Sequence, residues 1–301
     1  MRAVDLTSSA PGVQPRTGPW LARRASGWTV IAVIAAQLVF DPFFNFIVFP
    51  GHWFTPLYHA TGGLFNSTLS ANLIMLALVV GGLIVLAGNL RPSDVGLETA
   101  RILPAVVFTI CLWAIANVAV AAYTFSKGIP FALADEWSKP GPGPTIGAFI
   151  GQIFGNSLYE EIVYRGFLTV QLMLLLQSFG RTQSVCIAVA AAQAVFAVIH
   201  VPMLLVHGVQ WAQMGPDILT VYLTGLGFAA VYLSTNNLFI AVGVHALADE
   251  YMFIARDVLP IPESTGHLGF SGVYIGLALL AAVLWRLSRS ARAKQRQPHA
   301  P

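Results

Sequence analysis

The stretch Tyr159-Glu160-Glu161-Ile162-Val163-Tyr164-Arg165 sets two adjacent acids and an arginine inside a run that is otherwise apolar, from about Thr145 to Leu176. A charge at the centre of a bilayer costs roughly 2.5–3.5 kcal/mol on insertion scales, so a chain that keeps three there is using them. On a helix Glu161 and Arg165 are four residues apart and share a face, with the acid on the favoured N-terminal side. Glu160 points about 100° away and leans on no such neighbour. The pair 161/165 then largely neutralises itself and leaves Glu160 as the reactive carboxylate. The plainer reading is a structural ion pair that locks two helices together.

Two further polar clusters interrupt apolar runs. One is Phe196-Ala197-Val198-Ile199-His200; the other is His245-Ala246-Leu247-Ala248-Asp249-Glu250, in which His245 and Asp249 share a helix face. Counted from a turn near Arg181, Glu160 is 21 residues back and His200 is 19 residues on. At about 1.5 Å per residue both lie roughly 30 Å along their helices, so an antiparallel hairpin sets carboxylate beside imidazole. His245, about ten residues beyond a turn at Thr235–Asn237, comes out shallower. A glutamate, two histidines and an aspartate converging in a membrane can do three things. They can activate water, with Glu160 as general base and a histidine sharing the proton or stabilising an oxyanion. They can bind a divalent metal such as zinc through His200, His245, Glu160 and Asp249, with an open position for water. They can also relay protons or ions in a transporter.

The elements that must position these groups follow from composition. The 301 residues are 56% hydrophobic and 10% charged, with mean hydropathy +0.71. Soluble domains carry about a quarter charged residues. The chain therefore reads as an all-α polytopic membrane bundle. A net charge of +3 is too small to imply nucleic acid. Cys111 and Cys186 both fall in apolar runs and make neither a disulfide framework nor a metal cluster.

About eight spans are expected, near 28–49, 69–90, 102–123, 145–177, 184–206, 217–234, 238–255 and 270–287. The fourth is too long to stand upright, so it is tilted, broken or runs past the membrane surface. Asp41-Pro42 and Pro202 predict kinks. The run Trp53–Tyr58 is interfacial rather than spanning. Gly272/Gly276 and Gly225/Gly227 suit close helix packing, and Asn72 and Asn117 suit interhelical hydrogen bonds. Residues 1–26 read as a disordered cytoplasmic tail, 27–288 as the embedded domain with its core at 145–255, and 289–301 as a basic cytoplasmic tail. Both termini are expected in the cytoplasm of a cell-membrane protein. An even span count puts twelve Lys and Arg on their side, Arg91, Arg101 and Arg181 among them, against Lys127, Lys139 and Arg256 opposite.

The order Glu160-Glu161…Arg165, then Phe196…His200, then His245…Asp249, resembles the CPBP intramembrane proteases. That group contains the type 2 CAAX prenyl endopeptidases and the bacteriocin-processing and immunity proteins. The resemblance covers roughly residues 145–255, with a fainter echo at Arg91–Leu97. It implies an eight-helix fold with a conical cleft, in which Glu160 and His200 activate the attacking water. It further implies that His245 and the residue at 249 stabilise the oxyanion, that Glu161 supports them, and that Arg165 binds substrate or holds the acidic pair. Tyr159 stands where the family often has a third glutamate. Asp249 stands where it usually has asparagine, and an ionised aspartate only accepts hydrogen bonds, so it must be protonated, orient His245, or ligate a metal.

The expected function is thus an intramembrane endopeptidase acting on a peptide or protein substrate at or in the lipid bilayer, with zinc as the candidate cofactor. The alternatives are a non-cleaving immunity or scaffold protein of the same fold, and an ion-coupled transporter. The last needs paired broken helices from two halves, and no such repeat is visible.

Overall fold

The computed structural model describes residues 22–256 and 266–295. The expected N-terminal tail lies outside the described residues up to position 21, and the end of the expected C-terminal tail, residues 296–301, lies outside them as well. Every regular element among the described residues is helical.

Five helices are long and apolar enough to cross a bilayer: Gly27–Val48, Ser67–Ala87, Thr99–Ser126, Arg181–Val206 and Trp211–Thr235. They contain α1 (Gly27–Phe43), α3 (Ser67–Met75), α4 (Ile102–Ser126), α9 (Arg181–Val198) with α10 (Val201–Val206), and α11 (Trp211–Thr235). The interfacial run becomes the short helix α2 (Thr55–Ala60). Large apolar side chains such as Leu103, Val107, Ile110 and Val118 of α4 are exposed, as lipid-facing residues must be. The helix changes character just after the first predicted kink and breaks at the second. After Pro42 the first span continues as a π-helical segment, Phe44–Val48, and the fifth breaks at Ile199–His200 just before Pro202.

The fourth span is one long helical run broken in character rather than in path. Beyond the short α5 (Asp135–Ser138), it comprises α6 (Pro142–Gly151), a π-helical segment Gln152–Asn156, α7 (Ser157–Glu160), a second π-helical segment Glu161–Thr169, and α8 (Val170–Leu175). All nine residues of Glu161–Thr169 are buried, so this run is the axis on which the others pack. π-helical turns inside α-helices gather at functional sites. Here they flank Glu160 on both sides.

The seventh span is shorter than expected. Helix α12 ends at Asp249, only 12 residues from Leu238, which gives about 18 Å and cannot cross a bilayer. The chain beyond it turns to partners outside a helix. Trp113 Nε1 donates to the Met252 carbonyl at 2.9 Å, Trp137 Nε1 to the Phe253 carbonyl at 2.8 Å, and the Ile254 amide to Asn117 Oδ1 at 2.8 Å. The final helix α13 (Gly266–Gln295) packs on α11 and α12 and carries on through position 289, where a tail was expected to begin.

Depth along the bundle is set by one close contact. Gly166 carries no side chain because the Val95 carbonyl of the Pro92–Val95 turn occupies the space a Cβ needs. Leu238, the first residue of α12, packs against the same spot, within reach of both Gly96 and Gly166. The start of α12 is thereby seated level with Gly166 rather than at the end of the fourth span.

Other packing expectations divide. Gly225 and Gly227 do admit close neighbours, Phe196 and Arg165 at the first and Ile275 at the second. Gly272 and Gly276 do not: a Cβ at either would meet nothing within 4 Å, so this pair faces outward. Asn117 ties distant segments as expected, whereas Asn72 donates within its own helix to the Thr68 carbonyl and lines a cavity.

Candidate active site

Glu160 ends α7 in the middle of the fourth span, with its carboxylate facing two imidazoles. Its Oε1 lies 3.7 Å from His200 Nε2 and its Oε2 3.5 Å from His245 Nε2. The expected pairing of Glu160 and His200 across the hairpin of the fourth and fifth spans is thus present. Separations beyond about 3.2 Å are long for direct hydrogen bonds and invite a bridging water. Oε2 of Glu160 is buried and has no hydrogen-bond partner.

Each imidazole is oriented from behind. His200 Nδ1 sits 2.7 Å from the Phe196 carbonyl, an acceptor only, so Nδ1 carries the hydrogen and Nε2 offers its lone pair to the site. His245 Nδ1 sits 2.8 Å from Glu161 Oε1. That same oxygen is 3.0 Å from Arg165 Nη1, with both side chains fully buried. Hence His245 Nδ1 is also the donor, and its Nε2 is aimed between Glu160 Oε2 and Asp249 Oδ2, the latter at 3.4 Å. Phe228 stacks on the His245 ring with centroids 4.2 Å apart, fixing its plane. Phe196 packs edge-on to His200 at 4.6 Å.

Arg165 is held rather than presented. Its guanidinium lies 4.3 Å from the Phe196 ring centroid and 5.4 Å from that of Phe228, and Nη2 donates to the Gly225 carbonyl at 3.3 Å. It therefore joins the fourth, fifth and sixth spans while neutralising Glu161.

His245 reaches the site although it lies only seven residues from the start of α12. The reason is the seating of Leu238 beside Gly166. Glu160 is six residues from Gly166 along one helix, and His245 is seven from Leu238 along the other, so the two rise together.

Two separate cavities are lined by residues of the site. One, of about 510 Å³, is walled by Glu160, His200 and Asn156 and runs toward Ser67 and His207 at the ends of α3 and α10. The other, of about 710 Å³, is reached by Asp249 and Glu250 and lined by Trp137, Tyr251 and Phe253. The structure also adds residues that sequence reasoning left out. Asn156 Nδ2 lies 3.5 Å from Asp249 Oδ2. Gln37 of α1 bonds the Tyr159 hydroxyl and accepts from Tyr164 at 3.2 Å, so Tyr159 anchors the fourth span to the first. Asp41 shares the smaller cavity with Glu160. Its signal in the sequence is an acid inside a span, which by itself reads only as part of a proline kink.

The donor types suit zinc, since both Nε2 atoms offer themselves beside carboxylates. Among the described residues no preformed group of three or more His, Cys, Asp or Glu is found for a metal ion, although gaps of 3.4–3.7 Å between the carboxylate oxygens and the Nε2 atoms are of the size that a four-coordinate ion spans.

Residues 142–250, which contain all of Glu160, Glu161, Arg165, Phe196, His200, His245 and Asp249, match the family described as type II CAAX prenyl endopeptidase Rce1-like. Over that segment the chain is similar to the type II CAAX prenyl endopeptidases, which supports the CPBP/CAAX protease resemblance. The match takes in a little over a third of the chain, from the start of α6 to the end of α12. No curated protein and no solved structure matches it. The similarity is to a family of proteases, hydrolases that act on protein at the membrane.

Proposed function

We propose that this chain is an endopeptidase in which Glu160 and His200 activate water. The observation that carries this reading is the 3.7 Å gap between Glu160 Oε1 and His200 Nε2 at the wall of a cavity. A water held there donates one hydrogen to the carboxylate and the other to the imidazole lone pair. As its oxygen attacks the scissile carbonyl carbon, Glu160 takes the proton and the carbonyl π electrons move onto oxygen. Collapse of the tetrahedral intermediate breaks the C–N bond, and the proton passes from Glu160 to the leaving amine nitrogen.

His245 supports the oxyanion through Nε2 when that atom carries hydrogen. Asp249, 3.4 Å away, is the acceptor that keeps the hydrogen in the site. Aspartate in place of the family asparagine then works as an orienting acceptor, not as a donor to the oxyanion. Glu161 and Arg165 hold the other side of the ring. Zinc, if bound, would be held by Glu160, His200, His245 and Asp249 and would supply a Lewis acid for the water; no step above is routed through it.

Replacing Glu160 by Gln keeps the shape and removes the base. Cleavage of a membrane-protein substrate by the purified variant should fall by about 10²–10⁴-fold, the usual contribution of a general base, with insertion and yield unchanged. Undiminished cleavage by Glu160→Gln would remove Glu160 from the mechanism.

A further inference from the structure

Asp41 is an ionisable residue inside the first span that plays no part in the reaction above. Such residues mark sites and call for a partner. Asn45, one turn on, donates to Asp41 Oδ1 at 3.2 Å and to its backbone carbonyl at 3.0 Å. The other oxygen, Oδ2, is buried with no hydrogen-bond partner, and so is Oε1 of Gln152. Both residues line the cavity that Glu160 and His200 wall.

Two orphaned acceptors on one cavity call for donors. A neutral donor satisfies Gln152 but does not hold Asp41 in its ionised form where water is scarce. An ammonium or guanidinium group supplies both the charge and several N–H bonds. Among the described residues lining this cavity none is lysine or arginine, and Arg165 is committed to Glu161. Phe44, Met75 and Ile199 line it too, which suits the methylene stem of a long basic side chain. Its volume of about 510 Å³ is ample for one.

We propose that this cavity is a specificity pocket for a lysine or arginine of the substrate, seated on Asp41 and Gln152 next to the scissile bond. The pocket rests on the protease reading for its substrate, and it gives that substrate a chemical class: a polypeptide with a basic residue beside the cleaved bond.

The full-length chain in detergent is incubated with a mixed peptide library, and the cleaved bonds are read by mass spectrometry for wild type, Asp41→Asn and Asp41→Lys. In parallel, equilibrium binding of acetyl-Leu-Lys-Leu-amide is compared with its norleucine counterpart. Cleaved bonds in wild type should carry Lys or Arg at one fixed position. That preference should flatten by about tenfold in Asp41→Asn, the effect of one charge-assisted hydrogen bond, and turn toward Asp and Glu in Asp41→Lys. The lysine peptide should bind about tenfold more tightly than the norleucine peptide in wild type alone. Cleavage without basic preference, or with a preference that survives Asp41→Asn, overturns the pocket and leaves the protease reading standing. If no peptide is cleaved, the protease reading is lost and the binding comparison decides: equal binding of the two peptides overturns the pocket.

Discussion

Glu161 binds His245 and Arg165 through one oxygen: Oε1 lies 2.8 Å from His245 Nδ1 and 3.0 Å from Arg165 Nη1. Its Oε2 is buried without a partner. The ion pair read from the sequence and the orientation of the His245 ring are therefore one object. The plain structural role and the proposed catalytic one coincide, because locking the helices is what aims the imidazole.

Removing one member of this pair strands a buried charge. Arg165→Leu should destabilise the protein by about 3–5 kcal/mol, seen as a lower midpoint of thermal unfolding in detergent. Adding Glu161→Leu should restore most of that stability, since both charges are then gone. Cleavage should stay lost in the double variant, because nothing then holds His245 Nδ1. Recovery of activity along with stability would show that the pair only packs helices.

Asp249 offers a sharper distinction. Asparagine at this position can still accept through Oδ1, so Asp249→Asn should keep cleavage within about tenfold of wild type. Asp249→Leu removes the acceptor and should cost about 10²–10³ in kcat, the range for a lost oxyanion contact, with KM little changed. Equal losses in the two variants would show that the carboxylate charge itself is needed.

Exhaustive chelation should leave turnover unchanged, measured on protein dialysed against a strong zinc chelator with and without zinc restored. Loss on chelation and recovery on re-addition would show that Glu160, His200, His245 and Asp249 draw together around an ion. Their Nε2 and carboxylate atoms are the right kinds of ligand for that.

Gly166→Ala forces the Val95 carbonyl away and should cost about 1–3 kcal/mol, as overpacking does. Gly272→Ala, where a Cβ meets nothing, should lie within about 0.5 kcal/mol of wild type. Cleavage should fall more than stability in Gly166→Ala. Thermal melts beside turnover separate the two effects.

How far the sequence could be read differs from group to group, for physical reasons. Glu160 and His200 could be paired because both count from one short turn, and helical rise is nearly constant over such a distance. The pairing of Glu161 with Arg165 needed only helix periodicity. His245 came out too shallow because its depth is set by Leu238 meeting Gly166, a contact between segments far apart in sequence. The end of the seventh span at Asp249 was hidden for a similar reason. Tyr251–Ile254 is apolar enough to continue a helix, but Trp113, Trp137 and Asn117 take its backbone instead. Asp41 was visible as a misplaced acid, yet only the folded chain shows that it opens onto the same cavity as Glu160.

The turn at Pro92–Val95 touches neither substrate nor catalytic side chain, yet it works as the stop that sets the reach of His245. Shifting α12 by a single residue along its axis slides the ring by about 1.5 Å, enough to part it from Glu160. A relative whose loop has gained or lost a residue there can keep every motif letter and still be silent as an enzyme.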